Sequence, residues 1–214
     1  MEAEPEITVV TALTGDRDKL WIPDKVGGVK YVCFADTEYE RSGWEIRKAC
    51  DKFDPYLNAK IHKVLIHKYV DTRYSVWIDA SVEIKKNIVR MLETFLKDHD
   101  IAVYSHLSHP REEMIKTIEQ EISACIDMKK DKTERIMEQF KENSYPKDKV
   151  LPICTVIFRR HTPQMNRLNE KWWSEICRYS VRDQLSFPYV FHDYYEIGGD
   201  MKEDFGINAH KVPE

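Results

Sequence analysis

The sequence predicts an α/β protein in which a mixed, mostly parallel sheet is flanked by helices. Five short, continuous apolar runs are spaced along the chain, a pattern typical of strands buried on both faces of a parallel sheet. Amphipathic segments lie between these runs, with apolar residues three or four positions apart, as βαβ units require. The 214 residues fit one domain, which we assign to 1–214, although this chain could be cut from a longer one.

The strands and helices are expected to alternate over most of the chain. Each strand is short and rich in Val, Ile and aromatic residues, and each helix has one apolar stripe. The predicted strands are 7–13, 29–35, 75–78, 101–104 and 153–158. The predicted helices are 55–69, 87–96, 111–143 and 166–179.

Polar residues follow four of the predicted strands, at the point where each strand ends. These residues lie at 11–16, at Asp36, at 79–81 and at 106–111. Open α/β sheets place their ligands beyond the carboxyl ends of their strands. The sequence therefore predicts one site at this edge of the sheet.

Composition excludes several other classes of protein. A net charge of -4 offers no general basic surface, so we expect no nucleic-acid partner. No apolar run approaches the roughly 18 residues of a membrane span, and the acidic N-terminus does not resemble a signal peptide. The five cysteines are odd in number and lack C-x-x-C spacing, which favours reduced thiols and a cytoplasmic location.

Asp79 is the sharpest candidate for chemistry. It comes directly after an apolar strand, where the sheet edge would hold its carboxylate towards the site. Ser81 lies two residues on, and an extended chain brings its oxygen to the same side. Carboxylate and hydroxyl oxygens suit a hard cation such as Mg²⁺ or Mn²⁺. The alternative is that Asp79 is a strand-end residue that caps a helix.

A second candidate group comprises Arg182, Asp183 and Gln184, which place a cation, a carboxylate and an amide in one turn. Such a group could hold sugar hydroxyls and face an anomeric carbon, or it could be a salt-bridged helix start. Lys60 and Lys63 lie on one predicted helix face, where they could neutralise a diphosphate or simply be solvated.

A third candidate is the basic segment 159–161, which ends the last predicted strand. Its two arginines could clamp a phosphate or an acceptor, and surface ion pairs are the alternative.

Several segments together resemble a family of hexosyltransferase-like proteins of plants and bacteria. The resemblance rests on 74–79 (YSVWID), 151–163 and 182–190 (RDQLSFPYV), with Lys60 and Lys63, and it spans about residues 7–192. It extends to the glycosyltransferase domains that build chlorovirus capsid glycans. The family resemblance implies a GT-A (Rossmann-like) fold, a nucleotide-sugar donor and a divalent metal, typically Mn²⁺.

The resemblance also implies roles for single residues. Asp79 matches the first carboxylate of an Asp-x-Asp metal motif, whereas Ser81 stands where that motif has its second. His210 is the candidate for a metal-ligand histidine near the C-terminus, and Asp183 and Gln184 match a pair beside the donor sugar. The residues expected to contact the donor or its metal are Thr11, Ala12, Leu13, Lys60, Ile78, Asp79, Ala80 and Ser81.

We therefore expect a metal-dependent enzyme that transfers a hexose or deoxyhexose from UDP-glucose or UDP-rhamnose to a glycan acceptor. Asp183, Gln184 and Arg182 are the expected catalytic residues, and the Asp-Gln pair favours retention of configuration. The alternatives are a non-catalytic module that binds nucleotide sugars or glycans, and a metal-dependent nucleotidyl- or phosphotransferase. We expect a cytoplasmic protein, in the host cytoplasm if the gene is viral, and its oligomeric state stays open.

Overall fold

Seven strands form one mixed sheet in the computed structural model, which describes residues 6–15, 20–105, 117–127, 133–143 and 150–207. The strands are β1 (Ile7–Leu13), β2 (Val29–Ala35), β3 (Glu45–Lys48), β4 (Tyr74–Ile78), β5 (Val82–Ile84), β6 (Ile101–Ser105), β7 (Pro152–Arg160), β8 (Tyr195–Ile197) and β9 (Phe205–Ile207). The large sheet has the order β3-β2-β1-β4-β7-β6-β8. Only β7 runs antiparallel to its neighbours, while β5 and β9 form a separate antiparallel pair.

The helices lie on both faces of the large sheet. They are α1 (Pro55–Val64), α2 (Ile88–Phe95), α3 (Ile118–Asp127), α4 (Thr133–Asn143), α5 (Pro163–Arg178), α6 (Asp183–Val190) and α7 (Met201–Asp204), with a 3-10 turn at Ile66–Lys68. The predicted helix 111–143 is thus two helices in its described parts. Within the described residues, no helix combines the length and apolar character needed to cross a membrane.

Local sequence explains where three of these helices begin. The side chain of Asp54 accepts the backbone N–H groups of residues 56 and 57, and Pro55 occupies the first helical position of α1. Asn87 caps α2 in the same way, and Thr162 caps α5. Each cap satisfies donors that the first helical turn leaves unpaired.

Both faces of the sheet are buried, which is why its central strands are continuously apolar. On β1, Val9 faces a core with α2, whereas Val10 faces a core with α1, α5 and α6. The predicted fold class, an α/β domain with a mixed, mostly parallel sheet flanked by helices, is confirmed.

The direction of β7 decides between the two alternatives for the basic segment 159–161, in favour of ion pairing. Arg160 of β7 pairs with Tyr74 at the start of β4, so the basic segment 159–161 lies at the edge opposite Asp79. There Arg160 forms an ion pair with Asp100 at 3.1 Å, and the His161 ring is 2.8 Å from the Ser75 hydroxyl. These residues therefore cannot clamp a phosphate at the predicted site.

Candidate functional site

Two lysines of α1 and the first residue of α6 form a buried ion pair system. Asp183 Oδ1 lies 3.0 Å from Lys60 Nζ, and its Oδ2 lies 2.6 Å from Lys63 Nζ. The side chains of Lys63 and Asp183 are only 5% and 6% exposed. Asp183 also begins a helix, where the helix dipole favours a negative charge.

Asp79 joins this group from the end of β4, completing what we call the acid–lysine cluster: Lys60, Lys63, Asp79 and Asp183. Asp79 Oδ1 lies 3.6 Å from Lys63 Nζ and accepts a hydrogen bond of 2.8 Å from Trp77 Nε1. Trp77 can reach it because residues two apart on a strand share a face. The Asp79 side chain is 41% exposed, so the cluster opens to solvent through this residue.

Burial and charge act in opposite directions on the pKa values of the cluster. Burial disfavours the charged form of Asp183, but Lys60 and Lys63 outweigh this effect and hold its pKa far below the ordinary value. Burial alone would lower the pKa of Lys63, yet Asp183 and Asp79 raise it above the usual range. For Lys60, burial outweighs the attraction of Asp183, and its pKa is lowered. The two lysines therefore favour the ionised form of Asp183 near neutral pH, which suits electrostatic stabilisation better than proton abstraction.

Arg159 and Trp172 connect the two elements that carry the Lys63–Asp183 pair. Arg159 is fully buried and donates a hydrogen bond of 2.8 Å from Nη1 to the carbonyl of Lys63. Its guanidinium lies 5.5 Å from the centre of the Trp172 ring, whose Nε1 donates to the Asp183 carbonyl at 3.1 Å. Burial lowers the pKa of Arg159 to about 9, which leaves it charged at neutral pH. Arg159 thus supports the cluster from the protein interior, through the Lys63 carbonyl and the Trp172 ring.

Arg182 and Gln184, which flank Asp183, hold the start of α6 against other elements. Arg182 Nε donates to Glu121 on α3 at 2.6 Å, and Gln184 Nε2 donates to the Pro152 carbonyl at 2.8 Å. Arg182 Nη2 also donates to Gln184 Oε1 at 3.2 Å. These contacts direct Arg182 towards α3 and Gln184 towards the start of β7, so both side chains anchor the start of α6.

The end of β1 lies at the same edge of the sheet as Asp79. The Thr14 hydroxyl donates to the Pro55 carbonyl at 2.6 Å, and the Gly15 N–H donates to Asp36 at 2.7 Å. Thr11 is fully buried, and its hydroxyl has no hydrogen-bond partner among the described residues. Of the remaining predicted contacts, Ile78, Ala80 and Ser81 are buried, and Ala12 and Leu13 are partly buried.

The predicted metal ligands are only partly within the described residues. His210 lies outside them. Within the described ranges, no group of three or more His, Cys, Asp or Glu side chains could hold a metal ion. Asp79 Oδ1 is engaged by Trp77 and Lys63, so Oδ2 is the oxygen left to serve as one ligand for a hard cation.

Sequence reasoning identified Lys60, Asp79 and Asp183, which the structure brings together, but it did not foresee that Arg159 and Trp172 support them from the protein interior. It placed Lys63 on one helix face with Lys60, as a pair that could neutralise a diphosphate, but did not include Lys63 among the residues expected to contact the donor.

The fold and the acid–lysine cluster together define an α/β domain with a polar site at the carboxyl ends of its parallel strands. Comparison with known proteins then gives the family. The family model described as TOD1/MUCI70, glycosyltransferase-like domain, matches residues 48–210. The chain belongs to this family, and its match includes all four residues of the acid–lysine cluster.

Two curated relatives, both from Arabidopsis thaliana, carry different activities in their names. A probable hexosyltransferase, MUCI70, is 31% identical over 142 residues, which cover 62% of this chain and 24% of the relative. The alkaline ceramidase TOD1 is 22% identical over 220 aligned residues, which cover 86% of this chain and 48% of the relative. The chain thus spans about a quarter and about half of the lengths of these relatives.

Among solved structures, the apo form of mouse xyloside xylosyltransferase 1 aligns with a TM-score of 0.43 at 8% identity. The alignment covers 88% of this chain and 81% of the mouse chain. A similarity at this level carries no argument about activity.

Proposed function

We propose that the protein is a glycosyltransferase of the GT-A type that transfers a hexose or deoxyhexose from a UDP-sugar to a glycan acceptor. The observation that carries the proposal is the acid–lysine cluster, which lies beyond the end of β4 within the glycosyltransferase-like domain. The name of the hexosyltransferase relative supports the same chemistry. UDP-glucose and UDP-rhamnose are the proposed donors.

The charges of the cluster suit the departure of a nucleoside diphosphate. Negative charge builds on the diphosphate as the glycosidic bond breaks, and Lys60 and Lys63 place two cations nearby. The sugar becomes cationic at its anomeric carbon, by analogy with glycoside hydrolysis. Asp183 stays ionised, so it can stabilise that cation electrostatically, and Gln184 and Arg182 would act by fixing the start of α6. Retention of configuration stays a prediction.

The charge balance also supports a divalent cation, Mn²⁺ or Mg²⁺. Two lysines and two aspartates leave the cluster neutral, so a bound diphosphate would bring uncompensated negative charge. Asp79 Oδ2 and Ser81 would hold the metal, with His210 as the expected further ligand. When bound, the metal would act as a Lewis acid on the leaving diphosphate.

A Mn²⁺-dependent UDP-release assay with UDP-glucose and UDP-rhamnose tests the proposal. Asp183→Asn and Asp79→Asn should each lower turnover by roughly 10²- to 10³-fold, the scale of losing one electrostatic stabiliser. The control is Asp193→Asn, which removes an exposed carboxylate near β8 and should not change turnover.

The products separate the alternatives. Pyrophosphate release would indicate a nucleotidyltransferase, and phosphoryl transfer a phosphotransferase. Binding of the UDP-sugar without any UDP release would indicate a non-catalytic binding module. A kinship with chlorovirus capsid-glycan enzymes and a cytoplasmic location remain predictions.

The ceramidase relative motivates one second candidate, hydrolysis of an N-acyl sphingosine. The Ser75 hydroxyl lies 2.8 Å from His161 Nε2, a contact that serine hydrolases use to activate a nucleophile. However, Ser75 is fully buried within β4, out of reach of a substrate. We therefore expect no cleavage of a fluorescent ceramide, and cleavage that Ser75→Ala abolishes would establish this second activity instead.

A further inference from the structure

Aromatic side chains that the donor chemistry does not use lie at the start of α1 and on α5. Phe53 and Tyr56 are 42% and 55% exposed, unusually high for large aromatic residues. The ring of Phe53 packs against that of Trp173 on α5, with centroids 5.7 Å apart and planes at 69°. We call Phe53, Tyr56 and Trp173 the aromatic platform. Exposed apolar patches of this kind mark binding surfaces.

The platform is held rigidly by its backbone. The N–H of Phe53 donates to Asn58 Oδ1 at 3.0 Å, and Asn58 Nδ2 donates back to the Phe53 carbonyl at 2.8 Å. Asn58 is itself buried, and Asp54 caps the helix between them. A surface fixed in this way loses little conformational entropy when a ligand binds.

The platform and the acid–lysine cluster share the helix α1. Tyr56 precedes Lys60 by four residues and Lys63 by seven, so all three lie along one stripe of α1, with about 5.4 Å of axial rise per turn. On the other side, Trp173 follows Trp172, whose indole contacts the Asp183 backbone. The helix that carries Lys60 and Lys63 therefore also carries Tyr56, and α5, which contacts the Asp183 backbone through Trp172, carries Trp173.

We propose that the aromatic platform is the acceptor subsite and binds a pyranose ring of a neutral glycan. The π faces of aromatic rings are electron-rich and attract the weakly positive C–H groups of a sugar face. None of the three side chains is charged, which favours a neutral saccharide over a second phosphate group. This inference rests on the proposed function, because the transferase needs an acceptor beside its donor site.

The test uses the full chain, saturated with UDP and Mn²⁺, on an array of neutral pyranose oligosaccharides. We expect the wild-type protein to bind at least one oligosaccharide. Phe53→Ala combined with Tyr56→Ala should weaken that binding roughly tenfold, from two lost aromatic contacts. The matched control is Tyr195→Ala, which removes an exposed aromatic ring on the edge strand β8. Calorimetry with UDP measures the donor site separately.

The outcomes distinguish the acceptor subsite from the donor site. Weaker saccharide binding in the double variant, with UDP affinity unchanged and the Tyr195 variant normal, supports the subsite. If wild-type protein binds UDP but no oligosaccharide, or if the double variant binds oligosaccharides normally, the subsite is refuted and the donor site stands. If the double variant loses UDP affinity instead, the platform binds the uracil and not the acceptor. If wild-type protein does not bind UDP at all, the proposed function itself fails.

Discussion

Replacing Lys63 by methionine should destabilise the fold strongly, because it removes a cationic partner from the buried carboxylate of Asp183. Lys63 Nζ lies 2.6 Å from Asp183 Oδ2, and both side chains are almost inaccessible to solvent. After the change, Asp183 keeps only Lys60, at 3.0 Å, as a cationic partner in the cluster. Removing one partner of a buried pair costs about 3–5 kcal/mol, and the remaining lysine places the expected loss near the lower end, about 3 kcal/mol.

Thermal and urea unfolding measure this loss. For a domain of this size, each kcal/mol shifts Tm by roughly 2–4 °C, so Lys63→Met should lower Tm by about 6–12 °C. The double variant Lys63→Met with Asp183→Asn should recover only part of the stability, since the nearly inaccessible Asp183 is then neutral but Lys60 loses its partner. The control is Lys48→Met, whose ion pair with Asp51 is exposed and should not contribute measurably. A Lys63→Met loss as small as that of the control would refute the reasoning.

Three further changes test other parts of the structure. Burial lowers the pKa of His62 from 6.5 to about 4. The contribution of His62 to the free energy of unfolding is therefore fully present above pH 6.5 and is lost towards pH 4, at about 1.4 kcal/mol per pH unit. His62→Phe should flatten the pH dependence of urea unfolding, and an unchanged slope would contradict this. Asp54→Ala should cost about 1 kcal/mol by removing the cap of α1, whereas Asp54→Asn should not; equal losses in urea would exclude capping as the cause. Trp172→Phe removes the hydrogen bonds to the Asp183 carbonyl and the Ser186 hydroxyl, so it should cost about 1–3 kcal/mol and slow transfer; full turnover would show that this link does not position Asp183.

The sequence predicts the central strands well, because burial on both faces gives them an unbroken apolar pattern. The predicted bounds of β1 and β2 agree with the structure residue for residue. The edge strand β3 was not predicted, since three of its four residues, EIRK, are charged and all four are exposed or only partly buried. The start of α6 was predicted only as one of two alternatives, a salt-bridged helix start, and the structure supports it. The length of α6 was not predicted, because the helix contains Pro188 and is buried around most of its surface, so it lacks an amphipathic stripe.

The site residues that follow directly after a buried strand were predictable from the sequence. Those whose position depends on whether a strand runs parallel or antiparallel were less so. Asp79 was identified because a carboxylate directly after a buried strand is constrained to the sheet edge. The position of Arg159 stayed open because an apolar strand pattern does not reveal whether the strand runs parallel or antiparallel. Because β7 runs antiparallel to β4, Arg159 lies at the opposite end of β4 from Asp79. Its buried side chain there donates a hydrogen bond to the Lys63 carbonyl. Such long-range pairing is set by tertiary packing, which local patterns do not encode.

The central claim is that the acid–lysine cluster binds the diphosphate of a UDP-sugar together with a divalent cation at Asp79. Calorimetric titration of UDP into wild-type protein and Asp79→Asn, with and without Mn²⁺, tests it most directly. We predict that Mn²⁺ tightens UDP binding at least tenfold in the wild-type protein and has no such effect in the variant. Equal UDP affinity with and without Mn²⁺ in the wild-type protein, or an undiminished Mn²⁺ effect in Asp79→Asn, would contradict the account.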